Sequence, residues 1–317
     1  MPALEQSGSV LRREALEYGL TQDELERLLK QGVFVRVRRG AYAIRDDWTA
    51  LTPEQRHLVT ARAVLRALPE PAVLGHVSAA VAHGLPVWGA DLSLVHVIRR
   101  SRRLSARTEA GVVHHASTLP DEHVCDMDGL AVTSLARTVI DHARTAPFEA
   151  AVVTADAALH SNRLERAELT EMLGWQSDWP GSRGAGRAVV FADGRSESVG
   201  ESRGRIHIHA AGLPAPELQV VIRDEYGNEV ARVDYLFVAQ RTIGEFDGRL
   251  KYRVANAGAN LETVLWNEKR REDALRALGY EVVRFTWDDL ERAPAHIRRR
   301  FLAAFARAAG RSRVTLL

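Results

Sequence analysis

The chain has 317 residues, of which 46% are hydrophobic, enough for two or three domains that each bury a core. Its 43 basic and 41 acidic side chains give a net charge of +2, which excludes coating of nucleic acid by bulk charge but leaves local basic patches open. No run of about 18 apolar residues is present, the opening MPALEQSGSV has no signal-peptide pattern, and Cys125 is the single cysteine. Neither membrane insertion, export, a disulfide framework nor a cysteine zinc site is therefore expected, and the expected compartment is the cytoplasm.

In chain order, residues 9 to 44 read as helix, turn, helix and a two-stranded wing. SVLRREALEYG ends at Gly19, and TQDELERLLKQG opens with Thr21 as N-cap, has Glu24 at the capping-box position and stops at Gly32. VFVRVRRGAYAI alternates, with Val33, Val35 and Val37 set against Arg36 and Arg38 and a turn at Arg39-Gly40. Thr52-Pro53 starts a helix through RHLVTARAVLRAL. HVSAAVAHGLP reads as a short helix with Ser78 as N-cap, SLVHVI and GVVHHA as strands, and LAVTSLARTVIDHA as a strand entering a helix. PFEAAVVTADAALH and RLERAELTEML follow as helices.

WQSDWPGSRGAGR concentrates Gly, Ser and Pro and reads as a linker. Beyond it, SVGESRGRIHIHAAG is a helix closed by Gly212, and LQVVIRD and ARVDYLFV are strands joined by EYGN. TIGEFDG, a long helix NLETVLWNEKRREDALRALG, a strand YEVVRFTW and a last helix with Ile297, Phe301, Leu302 and Phe305 on one side complete the chain. The expected class is mixed α/β (α+β). A winged helix-turn-helix spans 1–50, a mixed α/β domain 51–174, a linker 175–193, and an α/β domain with a C-terminal helix 194–317.

The carboxylates of the last domain carry the chemistry. If the two strands around VDYLFV and TIGEFDG pair as a hairpin, Asp234 and Glu245 lie near adjacent strand ends, and a packed helix supplies Glu201. Like charges at that range raise each other's pKa unless protons or a cation neutralise them, and oxygen-rich clusters suit Mg²⁺ or Mn²⁺. Asp247 stands two residues after Glu245, and Lys251 or Lys269 is placed to supply an ammonium. The other reading is that Glu245, Asp247, Lys251 and the EKRRED helix form a structural ion-pair network.

The order Glu…Asp…Glu-x-Asp, preceded by SESVGES and followed by EKRREDALRALGYEVVRFTW, resembles the domain of unknown function 559 over about residues 194 to 290. That family is related to the very-short-patch-repair endonucleases of the PD-(D/E)XK superfamily. The resemblance implies a restriction-endonuclease-like fold, with Asp234 and Glu245 as the metal-binding pair and Glu201 as the helix-borne acid. The lysine that the superfamily places two residues after the glutamate is replaced by Asp247, which leaves two alternatives: a metal-dependent endonuclease, or a degenerate interaction module.

GVFVRVRRGAYAI, VLGHVSAAVAHGLPVW and DGLAVTSLARTVIDHA resemble the AbiEi-type antitoxins of type IV toxin-antitoxin systems. This implies a DNA-binding, often autoregulatory amino-terminal module, and a middle domain that in antitoxins helps oppose a partner toxin. Arg36, Arg38 and Arg39 are placed to meet phosphates or a minor groove from a wing, and Gln22, Arg27 and Lys30 to reach a major groove, although Asp23, Glu24 and Glu26 repel phosphate. The run IRRSRRLSAR, 98 to 107, is either a second phosphate-contacting loop or a solvated face. His76, Ser78 and His83, the i,i+4 pair Arg137 and Asp141, and the pair His207 and His209 read as structural.

Overall fold

The computed structural model describes residues 2–100, 107–248 and 261–314. Its contacts divide the chain between Ala192 and Asp193 into two units, and both mix helices with sheets, so the class is α+β. Among the described residues no helix is long and apolar enough to cross a membrane.

The first unit opens with α1 (Pro2–Ser7), β1 (Val10–Leu11), α2 (Arg12–Glu17) and α3 (Gln22–Lys30). Thr21 caps α3 by the expected box: its hydroxyl accepts from the Glu24 N–H at 3.2 Å while its own N–H donates to the Glu24 carboxylate at 2.8 Å. The hairpin β2 (Phe34–Arg38) and β3 (Ala41–Ile44) follows, and β1 adds to β3, giving a sheet of order β1-β3-β2. Val33 is exposed, and Phe34 enters the core beside Val10, Ala15, Leu25 and Tyr42. The ladder shifts register between Arg36 and Arg38, so the strict alternation is interrupted there.

After α4 (Arg45–Ala50), α5 (Pro53–Ala67) starts with Thr52 as its cap and Pro53 in its first turn, as the sequence predicts. Strands β4 (Val73–Leu74), β5 (Val95–Arg99), β6 (Arg107–Glu109), β7 (Val112–Ala116), β8 (Val124–Met127) and β9 (Leu130–Thr133) make a sheet of order β6-β7-β5-β4-β9-β8. Helix α6 (His76–Ala82) leaves β4 abruptly, with Gly75 at the cap position. Ser78 is thus not the N-cap. It lies inside α6, fully buried, where its hydroxyl accepts the His96 N–H at 2.8 Å and meets His57 Nε2 at 2.9 Å.

Helices α7 (Leu135–Thr145), α8 (Phe148–His160), α9 (Arg166–Trp175) and α10 (Ser182–Phe191) close the unit. Helix α10 falls inside the stretch read as a linker, 175–193. Its Ala185, Ala188 and Val189 are buried, and it packs on α7 and α8. Gly181 has φ +86°, and a Cβ there would collide with the Arg144 carbonyl, so this glycine marks a close approach of backbones rather than chain freedom.

The second unit begins with α11 (Val199–Ala210), closed by Gly212 at φ +66°. Strands β10 (Glu217–Arg223), β11 (Glu229–Phe237) and β12 (Thr242–Phe246) form an antiparallel meander. Helix α12 (Leu261–Ala277) then precedes β13 (Glu281–Phe285), which pairs parallel to β12, as a crossover connection requires. Helices α13 (Trp287–Arg292) and α14 (Pro294–Val314) follow. Tyr235, Phe237, Phe285, Ile297 and Phe301 form the main core, but Leu302 is 41% exposed, while Ala304 and Ala308 take the inward positions on α14.

Candidate functional site

The acidic site of the second unit is built from strand ends. Tyr235 faces Gly244 across β11 and β12, so Asp234 and Glu245 each lie one residue beyond that pair. Helix α11 lies close to the same strands because Gly200 and Gly204 have no side chain: a Cβ at the first would strike the Phe246 ring, and one at the second the Tyr235 hydroxyl and Phe285. The Tyr235 hydroxyl donates to the Glu201 carbonyl at 2.6 Å, which fixes the first turn of α11 over β11. A cavity of about 170 Å³ is lined by Asp234, Glu245, Phe246, Asp247, Glu268, Arg271 and Arg284.

Asp234 is perturbed. Burial, with the Glu201 and Glu245 carboxylates adding to it, raises its pKa to about 6, against the lowering effects of the Phe246 N–H and Arg271. The Phe246 N–H donates to Asp234 Oδ2 at 2.8 Å. Glu245 is buried and already has cations. Arg271 Nη2 donates to its Oε1 at 2.6 Å, and Arg284 Nε lies 3.2 Å from its Oε2, an ion-pair distance without hydrogen-bond geometry. Arg284 is the residue directly beside Glu245 in the parallel pairing of β12 and β13.

Both arginines are fixed from α12. Glu268 receives Arg271 Nη1 at 3.1 Å and Arg284 Nη2 at 2.5 Å, and Glu272 approaches Arg284 at 3.2 Å. Arg271 also donates to the Arg232 carbonyl at 3.0 Å. Burial lowers the pKa of Arg271, but Glu245 and Glu268 outweigh it and the net shift is upward. The Arg271 guanidinium therefore remains charged and holds Glu245 and Glu268 together.

The expected ligand set does not fit a divalent ion in this arrangement. Glu201 is committed to capping: its Oε1 accepts from Ser198 at 2.8 Å, and its Oε2 from the Glu197 N–H at 2.9 Å and Gln219 Nε2 at 2.7 Å. Both oxygens of Glu245 face guanidiniums and Asp234 Oδ2 accepts the Phe246 N–H, so of the three only Asp234 keeps an oxygen without such a bond among the described residues. Among the described residues no group of three or more His, Cys, Asp or Glu side chains is placed to hold a metal. Asp247 lines the cavity, and its N–H donates to the Phe285 carbonyl at 2.8 Å. Lys251 lies outside the described residues, and Lys269 is exposed on α12 and does not line the cavity.

The arginines were the part that sequence reading of the catalytic pattern missed. The signal was present in EKRRED, where Glu268 and Arg271 stand at i,i+3, and this segment joins the ion-pair network that the alternative reading describes. Arg284 carries no such local signal. It reaches Glu245 through the β12–β13 register.

The candidate nucleic-acid interface is less uniform than its sequence. Arg36 and Arg39 on the wing are exposed, as are Arg27 and Lys30 on α3. Arg38 is half-buried, and that burial lowers its pKa; Gln22 is half-buried and donates to Glu26 at 2.8 Å. At the basic run, Arg99 is buried against Glu70 at 2.8 Å, Arg100 meets Asp121 at 2.6 Å and Arg107 meets Glu109 at 3.2 Å, while residues 101–106 lie outside the described residues. The described ends of this run are internally paired. Arg137 and Asp141 form the structural ion pair that their spacing suggests, at 2.6 Å, and His207 and His209 lie on α11 with different exposure.

No family model matches the chain. It is 28% identical over 292 residues to each of two Mycobacterium tuberculosis proteins, a match that covers 91% of this chain and 98% of each relative. These are uncharacterized protein MT2308 of strain CDC 1551 / Oshkosh and uncharacterized protein Rv2248 of strain ATCC 25618 / H37Rv. The likeness runs through both units, and since the relatives' names assign no activity, function has to be argued from the residues.

Proposed function

We propose that this chain is a cytoplasmic, DNA-binding regulator of the AbiEi-like antitoxin type, whose last domain is a nuclease-derived module used for interaction rather than cleavage. The observation that carries the non-catalytic part is the pairing of Glu245 with Arg271 and Arg284. A carboxylate that accepts a guanidinium at 2.6 Å already has its counter-charge, and exchanging that partner for a hydrated divalent ion costs both the ion pair and the ion's dehydration. DNA binding is supported by the order of α2, α3, β2 and β3, with Arg36 and Arg39 exposed on the hairpin. The middle domain would be the one that meets a protein partner such as a cognate toxin.

Two measurements test this reading. Calorimetric titration of Mn²⁺ into the wild type and into Asp234→Ala/Glu245→Ala, with plasmid nicking by the same proteins, is expected to give no site-dependent binding or nicking. If both occur only in the wild type, the last domain is a metal-dependent endonuclease. DNA affinity measured against salt should fall in Arg36→Ala/Arg39→Ala, with the slope of log K on log salt shallower by about 1.8 if each arginine neutralises one phosphate. An unchanged affinity and slope would remove the wing from the DNA interface.

A further inference from the structure

We propose that the first unit binds a compact aromatic monoanion, an aryl carboxylate in the simplest case, in a cleft of about 640 Å³ above α7. The proposal does not depend on the DNA-binding reading, because it rests on charge and shape within this cleft. Its volume lies within the range of about 300–1,000 Å³ usual for small-molecule sites.

The charge comes from three residues on α7. Asp141 receives Arg137 Nε at 2.6 Å on one oxygen and Arg144 Nη1 at 3.1 Å on the other, so one carboxylate serves two guanidiniums. Asp141 is 1% exposed and Arg137 is fully buried. Neither arginine meets a second carboxylate among the described residues, which leaves one positive charge in excess. Arg144 lines the cleft. Its Nε donates to the Pro180 carbonyl at 2.9 Å and its Nη1 also to Gln176 at 3.1 Å, while its Nη2 makes no hydrogen bond among the described residues. A guanidinium held by three bonds, with one nitrogen left over at a cleft, is a fixed donor for a carboxylate oxygen.

The walls supply the shape. The Trp179 indole carries the Arg137 guanidinium at 4.8 Å and that of Arg144 at 4.9 Å, so the arginines cannot swing away without losing cation–π contact. His76 and His115, which also line the cleft, stack at 3.7 Å with 19° between their planes. They stay neutral because burial holds His115 down at about 4 and His76 well below the ordinary histidine range. The stacked pair therefore adds an uncharged wall and no cation, which limits the site to a single negative charge. A phosphate dianion would be half compensated, and a neutral ring would leave the Arg144 nitrogen unpaired.

The test is a calorimetric titration of the full chain with benzoate, with the neutral isostere benzamide and with acetate, which has the charge but no ring. Two variants accompany the wild type: Arg144→Met, and Ala116→Phe, which fills the cleft from an exposed position at the end of β7. Saturable benzoate binding is expected, with benzamide and acetate weaker by about tenfold or more, and a similar loss in both variants. Should Arg144→Met fail to fold, Ala116→Phe decides alone. Absence of saturation by benzoate, equal binding of benzamide, or an unimpaired Ala116→Phe would each overturn the proposal.

Discussion

Two buried ionic centres differ in how they are made and in which charge they leave over. On α7, Asp141 stands between Arg137 and Arg144, all three on one helix at spacings of three and four residues. In the second unit, Glu245 comes from β12, Arg271 from α12 and Arg284 from β13, and four carboxylates line the cavity against two guanidiniums. The first centre is short of negative charge and the second of positive charge. A buried ion pair thus does not decide function by itself; what matters is the charge that remains after pairing, because that determines whether the site recruits an anion, a proton or a cation.

The largest effect is expected at the helical centre. Asp141→Ala leaves two arginines without their carboxylate, one of them fully buried, and should cost about 3–5 kcal/mol in urea unfolding. A loss below about 1 kcal/mol would mean that the cation–π contacts with Trp175 and Trp179 suffice to hold Arg137.

The same unit should weaken in acid. His96, His115 and His142 are each held at about 4, in every case by burial first and then by neighbouring histidines. The unfolded chain takes up protons near pH 6.5 that the folded one refuses, so this contribution is complete above about 6.5 and is lost as the pH falls through about 4. Each group contributes at most about 3 kcal/mol. Thermal unfolding followed between pH 7 and 4 should show a steady fall, and His142→Phe, which removes a buried imidazole with both nitrogens unbonded, should flatten it.

The acidic centre should behave in the opposite sense. The folded pKa of Asp234, about 6, lies above the unfolded value, so the folded state binds the extra proton between these values and stability falls as the pH rises through them. Asp234→Asn keeps an oxygen for the Phe246 N–H and removes the charge. It should be neutral near pH 4 and stabilising by about 1–3 kcal/mol near pH 8. If the gain does not depend on pH, the carboxylate is not raised by burial and by its neighbours Glu201 and Glu245 as described.

The contrast also explains what the sequence could reveal. The pair Arg137–Asp141 was legible because helix geometry converts i,i+4 spacing into contact, and the caps at Thr21 and Thr52 were legible for the same local reason. Asp234 and Glu245 could be placed together because a hairpin is nearly local too. The pairing of Glu245 with Arg284 depends on a parallel register set beyond an intervening helix, which no short window contains. Phe34 and the glycines of α11 and α10 went unread because their roles lie in what packs against them: a core on one side of a bulged strand, a ring or a carbonyl where a Cβ would sit.

The smallest effect separates the two accounts of the acidic centre by what does not change. If an ammonium were needed beside Glu245, Lys269 would be one of two candidates from the sequence. On α12 it is exposed, whereas Glu268, Arg271 and Glu272 on the same helix turn toward the strands. Lys269→Ala should therefore shift unfolding by no more than about 0.5 kcal/mol, the usual range for a surface position outside a network. It should also leave the Asp234 titration, read by carboxyl chemical shifts, where it stands in the wild type. Arg271→Ala, by contrast, should raise the Asp234 pKa further, because it removes the cation that lowers it. Should Lys269→Ala move that titration and Arg271→Ala leave it unmoved, the cation that balances the strand carboxylates would be the lysine, and the arginine-closed description of the site would fail.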